Sequence, residues 1–516
     1  MNLRSDTKKI AVCLLLIFTT ISNPMSVSAA APYNSYSYNY WGDVVVEPAP
    51  YTVFDVISGN DVSKELGDFN SPSDMFTTNG RIYVADSGNN RIVVLKEDFT
   101  LDFIITEFVV PNQDNNREEA SDVTEEDKAK PNIPDPYSSH FNNPQGIYVS
   151  NEGHIYVADT YNSRILEFDD KGQLLRMIGK PNTPLLSSSF TYKPMKLVVD
   201  DAGRIYISAY GVNLGLIELS PEGEFKTFTG AIEVTTNFVD YIWKHYFSTN
   251  EQQDRMVSNI PTEYSNLFID NRQFIYGTIS TLSEKDIAAG ADVIRRLNPS
   301  GKDVLRRLGN LPIVGDRSSE GDRSKFVDIT ALESGVYFAL DAVQGKIFAY
   351  DYDGNLLFVF GKLGNRWGNT KSPIALNCLN NGTRLLVLDY LNNSIYVYDI
   401  TEYGSSILHA LEFGYGGSMK QAVQAWENVL RLNSNNEYAY LGIGRYYLQE
   451  KEYKAAMEYF KKVNNRSYYS KAYSLNRKSI MQDSFGIYIM LFIAVSAIIT
   501  LITAIKRFNA KVRRER

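Results

Sequence analysis

Gly80-Arg-Ile-Tyr-Val-Ala-Asp-Ser-Gly-Asn-Asn-Arg91 returns 73 residues later as Gly153-His-Ile-Tyr-Val-Ala-Asp-Thr-Tyr-Asn-Ser-Arg164. Weaker copies of the frame follow at Gly203-Arg-Ile-Tyr-Ile-Ser208, Arg272-Gln-Phe-Ile-Tyr-Gly277, Gly335-Val-Tyr-Phe-Ala-Leu-Asp341 and Arg384-Leu-Leu-Val-Leu-Asp389. The six copies lie 48 to 73 residues apart. The shortest intervals match one propeller blade, and the longer ones hold insertions. Each copy has the same internal order, clearest in the second. An apolar strand (Gly146-Ile-Tyr-Val-Ser150) leads through a turn to Ile-Tyr-Val-Ala-Asp, then to an alternating strand (Arg164 to Phe168) and a last one (Gln173 to Ile178). Four short strands joined by Gly, Asn and Asp turns make a meander. Radial repetition of such sheets leaves only short, protected edges. The expected fold is mainly β, a six-bladed β-propeller over residues 51–414, closed by pairing of Tyr51-Thr-Val-Phe-Asp-Val-Ile57 with the last blade.

The spacing Asp-Xaa-Xaa-Asn-Xaa-Arg-Ile, at Asp86 to Ile92 and Asp159 to Ile165, resembles the NHL repeat family, whose repeats build six-bladed propellers. It is sharp in the first two copies and in Asp389-Tyr-Leu-Asn-Asn-Ser394, and weak in the third to fifth. Asp, Asn and Arg are turn and strand-edge hydrogen bonders, so these residues are expected to hold the blade together and do no chemistry. Two insertions interrupt the ring. Residues 112–135 hold eight acidic and three basic residues without apolar periodicity or Gly, and so read as a flexible loop rather than a calcium loop. In residues 234–260, Phe238, Ile242 and Tyr246, with Trp243 and Phe247, follow helical spacing, which predicts a helix across the propeller or its rim.

Both ends carry membrane signals. A basic start, the apolar run Ile10 to Ile21 and Ser26-Val-Ser-Ala-Ala-Ala31 are the parts of a secretory signal over residues 1–31. Phe485 to Ile505 is 21 residues without charge, long enough to span a bilayer as a helix. The basic tail 506–516 is expected to stay in the cytoplasm. A single-pass cell-membrane protein follows, with its N-terminal bulk outside the cytoplasm. The whole chain carries −8; the tail accounts for +5 and the first nine residues for +2, which leaves −15 on the part between. Such a charge argues against nucleic acid as a partner. Past the signal only Cys378 remains, so no internal disulfide forms and a bacterial surface protein is expected.

From Ser418 the composition turns to Ala, Glu, Lys, Leu and Tyr. Tyr440-Xaa-Xaa-Ile443-Gly444-Xaa-Xaa-Tyr447, then Ala456, Phe460 and Val463, resemble the small, aromatic and apolar positions of a tetratricopeptide repeat. Ala422, Trp426 and Val429 supply a matching upstream second helix. The resemblance implies TPR-like α-hairpins over residues 418–484, docking a protein partner through Tyr440, Tyr447 and Tyr453.

No zinc-type His pair, nucleophile elbow or phosphate loop occurs around His140, His154, His245 and His409. Propeller sites draw ligands from several blades around the channel, so the residues opening each inner strand are the candidates: Asp74, Gly146, Lys196, Asn266, Asp328 and Ala375. Just before them stand Ser73, Gln145, Met195, Ser265, Val327 and Ile374. NHL-type lyases acting on peptidyl-hydroxyglycine place channel histidines at that preceding position; here none is His. Lactonase-like propellers hold calcium with Glu, Asn and Asp from different blades, and Asp74, Asn266 and Asp328 offer such oxygens, but Lys196 repels a cation from the same ring. No catalytic residue, metal site or cofactor is therefore predicted. The expected function is binding of a protein or glycan ligand by Asp74, Lys196, Asn266 and Asp328, as an accessory to a transport or cell-wall system. The alternative is a metal-dependent, lactonase-like hydrolase or lyase at the channel mouth, with calcium as a candidate ion. Equally open is a purely structural role, in which these side chains pair with one another.

Overall fold

A computed structural model describes residues 31–110, 137–186, 190–231, 263–282, 286–287, 290–317 and 323–514. The secretory signal expected over residues 1–31 (save residue 31), the acidic insertion 112–135 and the helix expected in 234–260 lie outside the described residues. The rest forms a six-bladed propeller followed by helices.

Blade I consists of Asp74–Thr78, Arg81–Asp86, Arg91–Lys96 and Leu101–Ile105. Blade II comprises Pro144–Val149, Ile155–Asp159, Arg164–Phe168 and Leu174–Ile178; blade III comprises Pro194–Val199, Ile205–Ala209, Leu216–Leu219 and Phe225–Thr229. All are antiparallel meanders, as the strand–turn spacing dictates. Blade IV has three strands, Asn266–Ile269, Ile275–Thr278 and Ile294–Leu297; the Val304 amide bonds to the Arg296 carbonyl at 2.7 Å where a fourth would start. Blade V (Phe326–Ala331, Tyr337–Asp341, Lys346–Tyr350, Leu356–Phe360) is widened to six strands by an N-terminal hairpin, β1 (Ser35–Tyr38) and β2 (Val44–Glu47).

Blade VI closes the ring. Its strands Pro373–Leu379, Arg384–Asp389 and Ser394–Ile400 are completed by β3 (Tyr51–Ser58), in a register from Ser394 opposite Ser58 to Ile400 opposite Tyr51. The closing strand is thus the one expected from Tyr51. Its first side chain is fully buried, stacks on Phe360 with ring centroids 5.1 Å apart, and donates its hydroxyl to the Gly382 carbonyl.

The Asp-Asn-Arg motif is a staple. Asp86 accepts the Asn70 amide (2.7 Å), Asn89 Nδ2 (2.9 Å) and Arg91 Nε (2.7 Å). Asp159 does the same with the Asn142 amide (2.7 Å), Asn162 Nδ2 (2.9 Å) and Arg164 Nε (2.8 Å). One carboxylate so ties the loop entering a blade to the turn between its second and third strands. Asn90 and Ser163, next in line, take left-handed φ values of 51° and 54° to complete that turn.

The propeller's last strand ends at Ile400, and α1 (Glu402–Tyr415) begins inside the span read from sequence as propeller. Its cap explains the switch: Thr401 Oγ1 accepts the Gly404 amide at 3.2 Å, while the Thr401 amide donates to the Pro50 carbonyl at 2.9 Å. Next come α2 (Met419–Leu432), α3 (Glu437–Gln449) and α4 (Tyr453–Lys462), packed as antiparallel neighbours. The last helix, α5 (Arg466–Arg514), runs 49 residues without a break, about 70 Å at helical rise. Its first turns pack into the bundle, where Ala472 is buried with Leu441, Ala456 and Phe460. From Phe485 onward its large apolar side chains are exposed. This is a helix long and apolar enough to cross a membrane. No break separates its membrane-length segment 485–505 from the bundle or from the basic end.

Candidate functional site

In blades I and IV the inner strand opens on its channel residue, Asp74 or Asn266; in the others it opens two residues earlier, at Pro144, Pro194, Phe326 and Pro373. In blades II, III, V and VI the register shifts at the second residue, between Pro144 and Gly146, Pro194 and Lys196, Phe326 and Asp328, and Pro373 and Ala375. A bulge there re-aims the side chains that follow. The four sequence candidates meet as two pairs. Lys196 Nζ lies 2.9 Å from Asp74 Oδ1 and donates to the Ser73 carbonyl at 3.1 Å. Asp74 also accepts the amides of Ile147 (2.9 Å) and Met75 (3.0 Å). Gly146, in the blade between them, permits this reach: a Cβ there would lie 2.3 Å from the Met195 carbonyl oxygen.

The second pair is Asn266 and Asp328. Asp328 accepts Asn266 Nδ2 and the amides of Ile329 and Leu376. Burial, and then the neighbouring Asp74 charge, push the Asp328 carboxyl up to about 8, against the opposing pull of Lys196 and the two amides. All four side chains are buried. Below them, Asn377 Oδ1 accepts Thr77 Oγ1 (2.7 Å) and the Cys378 amide (2.9 Å). Asn377 belongs to a layer that the alignment of first residues does not reach. Among the described residues no group of three His, Cys, Asp or Glu is placed to hold a metal ion.

The accessible part of the site lies beside this layer. A cavity of about 570 Å³ opens at the channel mouth, lined by Ser73, Asn142, Asn143, Gln145, Tyr161 and Tyr390, with Ser71, Ser87, Asn90 and Ile374 at its margin. Every one of these side chains is uncharged. Three of them (Ser73, Gln145 and Ile374) immediately precede the channel residues Asp74, Gly146 and Ala375, the last two from within their strands. Most of the others were missed by sequence reasoning, yet they follow the repeat: Ser87, Tyr161 and Tyr390 come one or two residues after the aspartates 86, 159 and 389. His140 stands outside the cavity with an exposed ring, and its carbonyl accepts Asn162 Nδ2 and Arg164 Nη2. His154 bonds Glu167 at 2.9 Å in blade II.

On the helices, Tyr447 stacks on Tyr459 at 5.4 Å, and Tyr440 approaches Tyr459 at 6.3 Å. Lys462 Nζ sits 4.8 Å from the Tyr440 ring and 5.1 Å from that of Tyr459. Two of the three predicted docking tyrosines therefore share a partly exposed patch through Tyr459, which the sequence reading did not name. Tyr453, at the start of α4, has no ring contact in that patch.

Residues 69–95 and 141–168 match the NHL repeat. The chain carries NHL repeats. Over 77 residues it is 34% identical to a probable peptidyl-alpha-hydroxyglycine alpha-amidating lyase of Caenorhabditis elegans, a stretch covering 15% of this chain and 22% of the lyase. Among solved structures it is similar to virginiamycin B lyase of Staphylococcus aureus (13% identity, 65% of this chain and 86% of that one, TM-score 0.36). It is also similar to a Bacteroides thetaiotaomicron protein of unknown function (11% identity, 72% and 76% coverage, TM-score 0.40).

Proposed function

We propose that this NHL-repeat protein is a membrane-tethered binding protein whose propeller takes a neutral, hydroxyl-rich ligand of the glycan class at the channel mouth. The observation that carries the reading is the division of labour at the mouth. The ionisable side chains Asp74, Lys196 and Asp328 already bond one another, Asn266 and backbone, whereas the open cavity offers uncharged groups: amides, hydroxyls, two tyrosines and Ile374. Amide and hydroxyl groups match sugar hydroxyls, and tyrosine rings cover apolar sugar faces. In this reading Asp74, Lys196, Asn266 and Asp328 form the rigid floor of the site.

The helices supply the second half. The hairpins α1/α2 and α3/α4 start at Glu402 and Glu437, close to the spacing of a tetratricopeptide repeat. The Tyr440–Tyr447–Tyr459 patch is where a partner protein would dock. Segment 485–505 crosses the cell membrane and the basic end of α5 stays in the cytoplasm, which puts the propeller outside. An accessory role beside a transport or cell-wall system fits that arrangement.

A second reading, a propeller lyase, is favoured by the 77-residue match. One experiment separates the two. The full chain in detergent is titrated with neutral oligosaccharides and assayed for turnover of hydroxyglycine-ended peptides, before and after chelation. Saturable sugar binding that Asn142→Ala with Gln145→Ala weakens about tenfold, for the loss of two hydrogen-bonding side chains, supports the binding reading. Its melting temperature should move by less than about 2 °C. Turnover lost on chelation, without sugar binding, assigns the lyase reading instead.

A further inference from the structure

The widened sheet of blade V ends in β2, a strand with an open side. Its register with β1 sets Ser35 opposite Glu47, Tyr36 opposite Val46, Ser37 opposite Val45 and Tyr38 opposite Val44. At the hairpin end the Asn39 amide bonds the Asp43 carbonyl at 3.0 Å. In an antiparallel pair, residues alternate between exchanging hydrogen bonds with the partner strand and turning them away. Counting from Asn39 and Asp43, the bonded pairs are Ser37–Val45 and Ser35–Glu47. Tyr36 faces away toward Val359 of blade V, as its pairing there requires. Val44 and Val46 therefore turn their N–H and C=O groups outward from the sheet. Among the described residues neither makes a backbone hydrogen bond beyond its own hairpin. Their side chains are 45% and 72% exposed. Val45 and Glu47, on the other face, line a small cavity against α3.

A sheet edge with unpaired backbone groups and exposed β-branched side chains is a template for another strand. Charge chooses the occupant. A second copy could use both outward residues only in the antiparallel register centred on Val45. That register brings together two hairpins that each carry an exposed Asp43 carboxylate, and like charges oppose such an approach. The Glu437 carboxylate, which accepts the Tyr40 amide at 3.0 Å, adds negative charge beside the hairpin. We propose that the free edge of β2 takes up an extended segment of a partner protein, one whose β-branched residues are flanked by basic side chains. This site is separate from the channel mouth and from the tyrosine patch.

The test uses the full chain in detergent micelles and a labelled peptide of alternating Thr and Val with Lys at both ends, compared with the same peptide ended by Glu. Fluorescence anisotropy should show saturable binding of the lysine-ended peptide and about tenfold weaker binding of the glutamate-ended one. Val46→Pro deletes an outward N–H without touching the β1–β2 ladder. It should weaken the lysine-ended peptide about tenfold while the melting temperature moves by less than about 2 °C. If Val46→Pro unfolds the hairpin, Val46→Lys leaves the backbone intact and should weaken the same peptide by charge repulsion. Equal binding of both peptides, no binding, or affinity untouched by both variants overturns the proposal. So does a concentration-dependent dimer that Val46→Pro abolishes, which would give the edge to a second copy.

Discussion

Blades I, II, V and VI differ from blades III and IV at one position, the residue after the cross-strand partner of the channel residue on the second strand. In the first group it is Asp86, Asp159, Asp341 or Asp389, each fully buried and each collecting amides from the loop that enters its blade. In blades III and IV the position is held by Ala209 and Ile279, which follow Ser208 and Thr278, the partners of Lys196 and Asn266. Their entering loops are fixed by other means: the Tyr210 amide donates to the Lys193 carbonyl at 2.9 Å in blade III, and Ser208 Oγ donates to the Tyr264 carbonyl at 2.6 Å ahead of blade IV. Their aspartates move one turn earlier. Asp200 and Asp270 close the first hairpin of each blade and pair with Arg204 and Arg296. A blade thus needs a buried carboxylate somewhere to gather backbone N–H groups, but two different turns can supply it.

The contrast is sharpest by substitution in blades II and IV. Asp159→Ala leaves the Arg164 guanidinium, itself only 1% exposed, without its carboxylate, and frees the Asn142 amide. Breaking a buried ion pair from one side costs about 3–5 kcal/mol, so a fall of about 4 kcal/mol in a urea titration is expected. The neighbouring change in blade IV, Thr278→Val, next to the equivalent position Ile279, removes a buried hydroxyl that has no hydrogen-bond partner among the described residues, and should be neutral or slightly stabilising. Equal losses at the two positions would show that the staple is not what distinguishes these blades.

The channel offers a second way to break the comparison, since there blade III supplies the cation and blade I the carboxylate. Lys196→Met removes the Asp74 partner in a layer where both are buried, and should cost about 3 kcal/mol. Asp74→Asn in the same chain should return most of that loss, because no unpaired charge is then buried. If the double variant is as unstable as the sum of the single ones, the pair contributes nothing by being a pair.

These differences explain how much the sequence could reveal. The fold was legible because strand and turn chemistry recur in all six copies, and the closing strand because Tyr51 to Ile57 has the same alternation. The Asp-Asn-Arg spacing was legible only where the carboxylate sits at the second turn; in blades III and IV it moves, and the motif fades although the blade persists. The ring of Asp74, Lys196, Asn266 and Asp328 could be aligned from first residues of inner strands. Who bonds whom could not, because it depends on the bulges that re-aim the inner strands of blades II, III, V and VI, while the inner strands of blades I and IV run without one. The start of α1 was missed because Glu402 to Tyr415 begins immediately after a strand, with Thr401, the single residue between Ile400 and Glu402, serving as its cap.

The propeller and the helices meet at a group whose ionisation should be measurable. Glu47, the last residue of β2, is buried against the bundle, accepting Ser37 Oγ at 2.7 Å and Asn436 Nδ2 at 3.3 Å. Burial pushes its carboxyl up to about 7 from 4.5, outweighing the hydrogen bonds that favour the charged form. A raised carboxyl means that the folded chain binds more protons than the unfolded one between pH 4.5 and 7. Its contribution is therefore fully favourable below that window and is lost as pH rises through it. Glu47→Gln keeps an acceptor for Ser37 and removes the charge. It should leave stability unchanged near pH 4 and raise it by about 2 kcal/mol at pH 8, less than the full linkage because the new amide needs an acceptor of its own. A wild-type-minus-variant difference that does not change between those two pH values would mean that Glu47 is not the group that titrates at this junction.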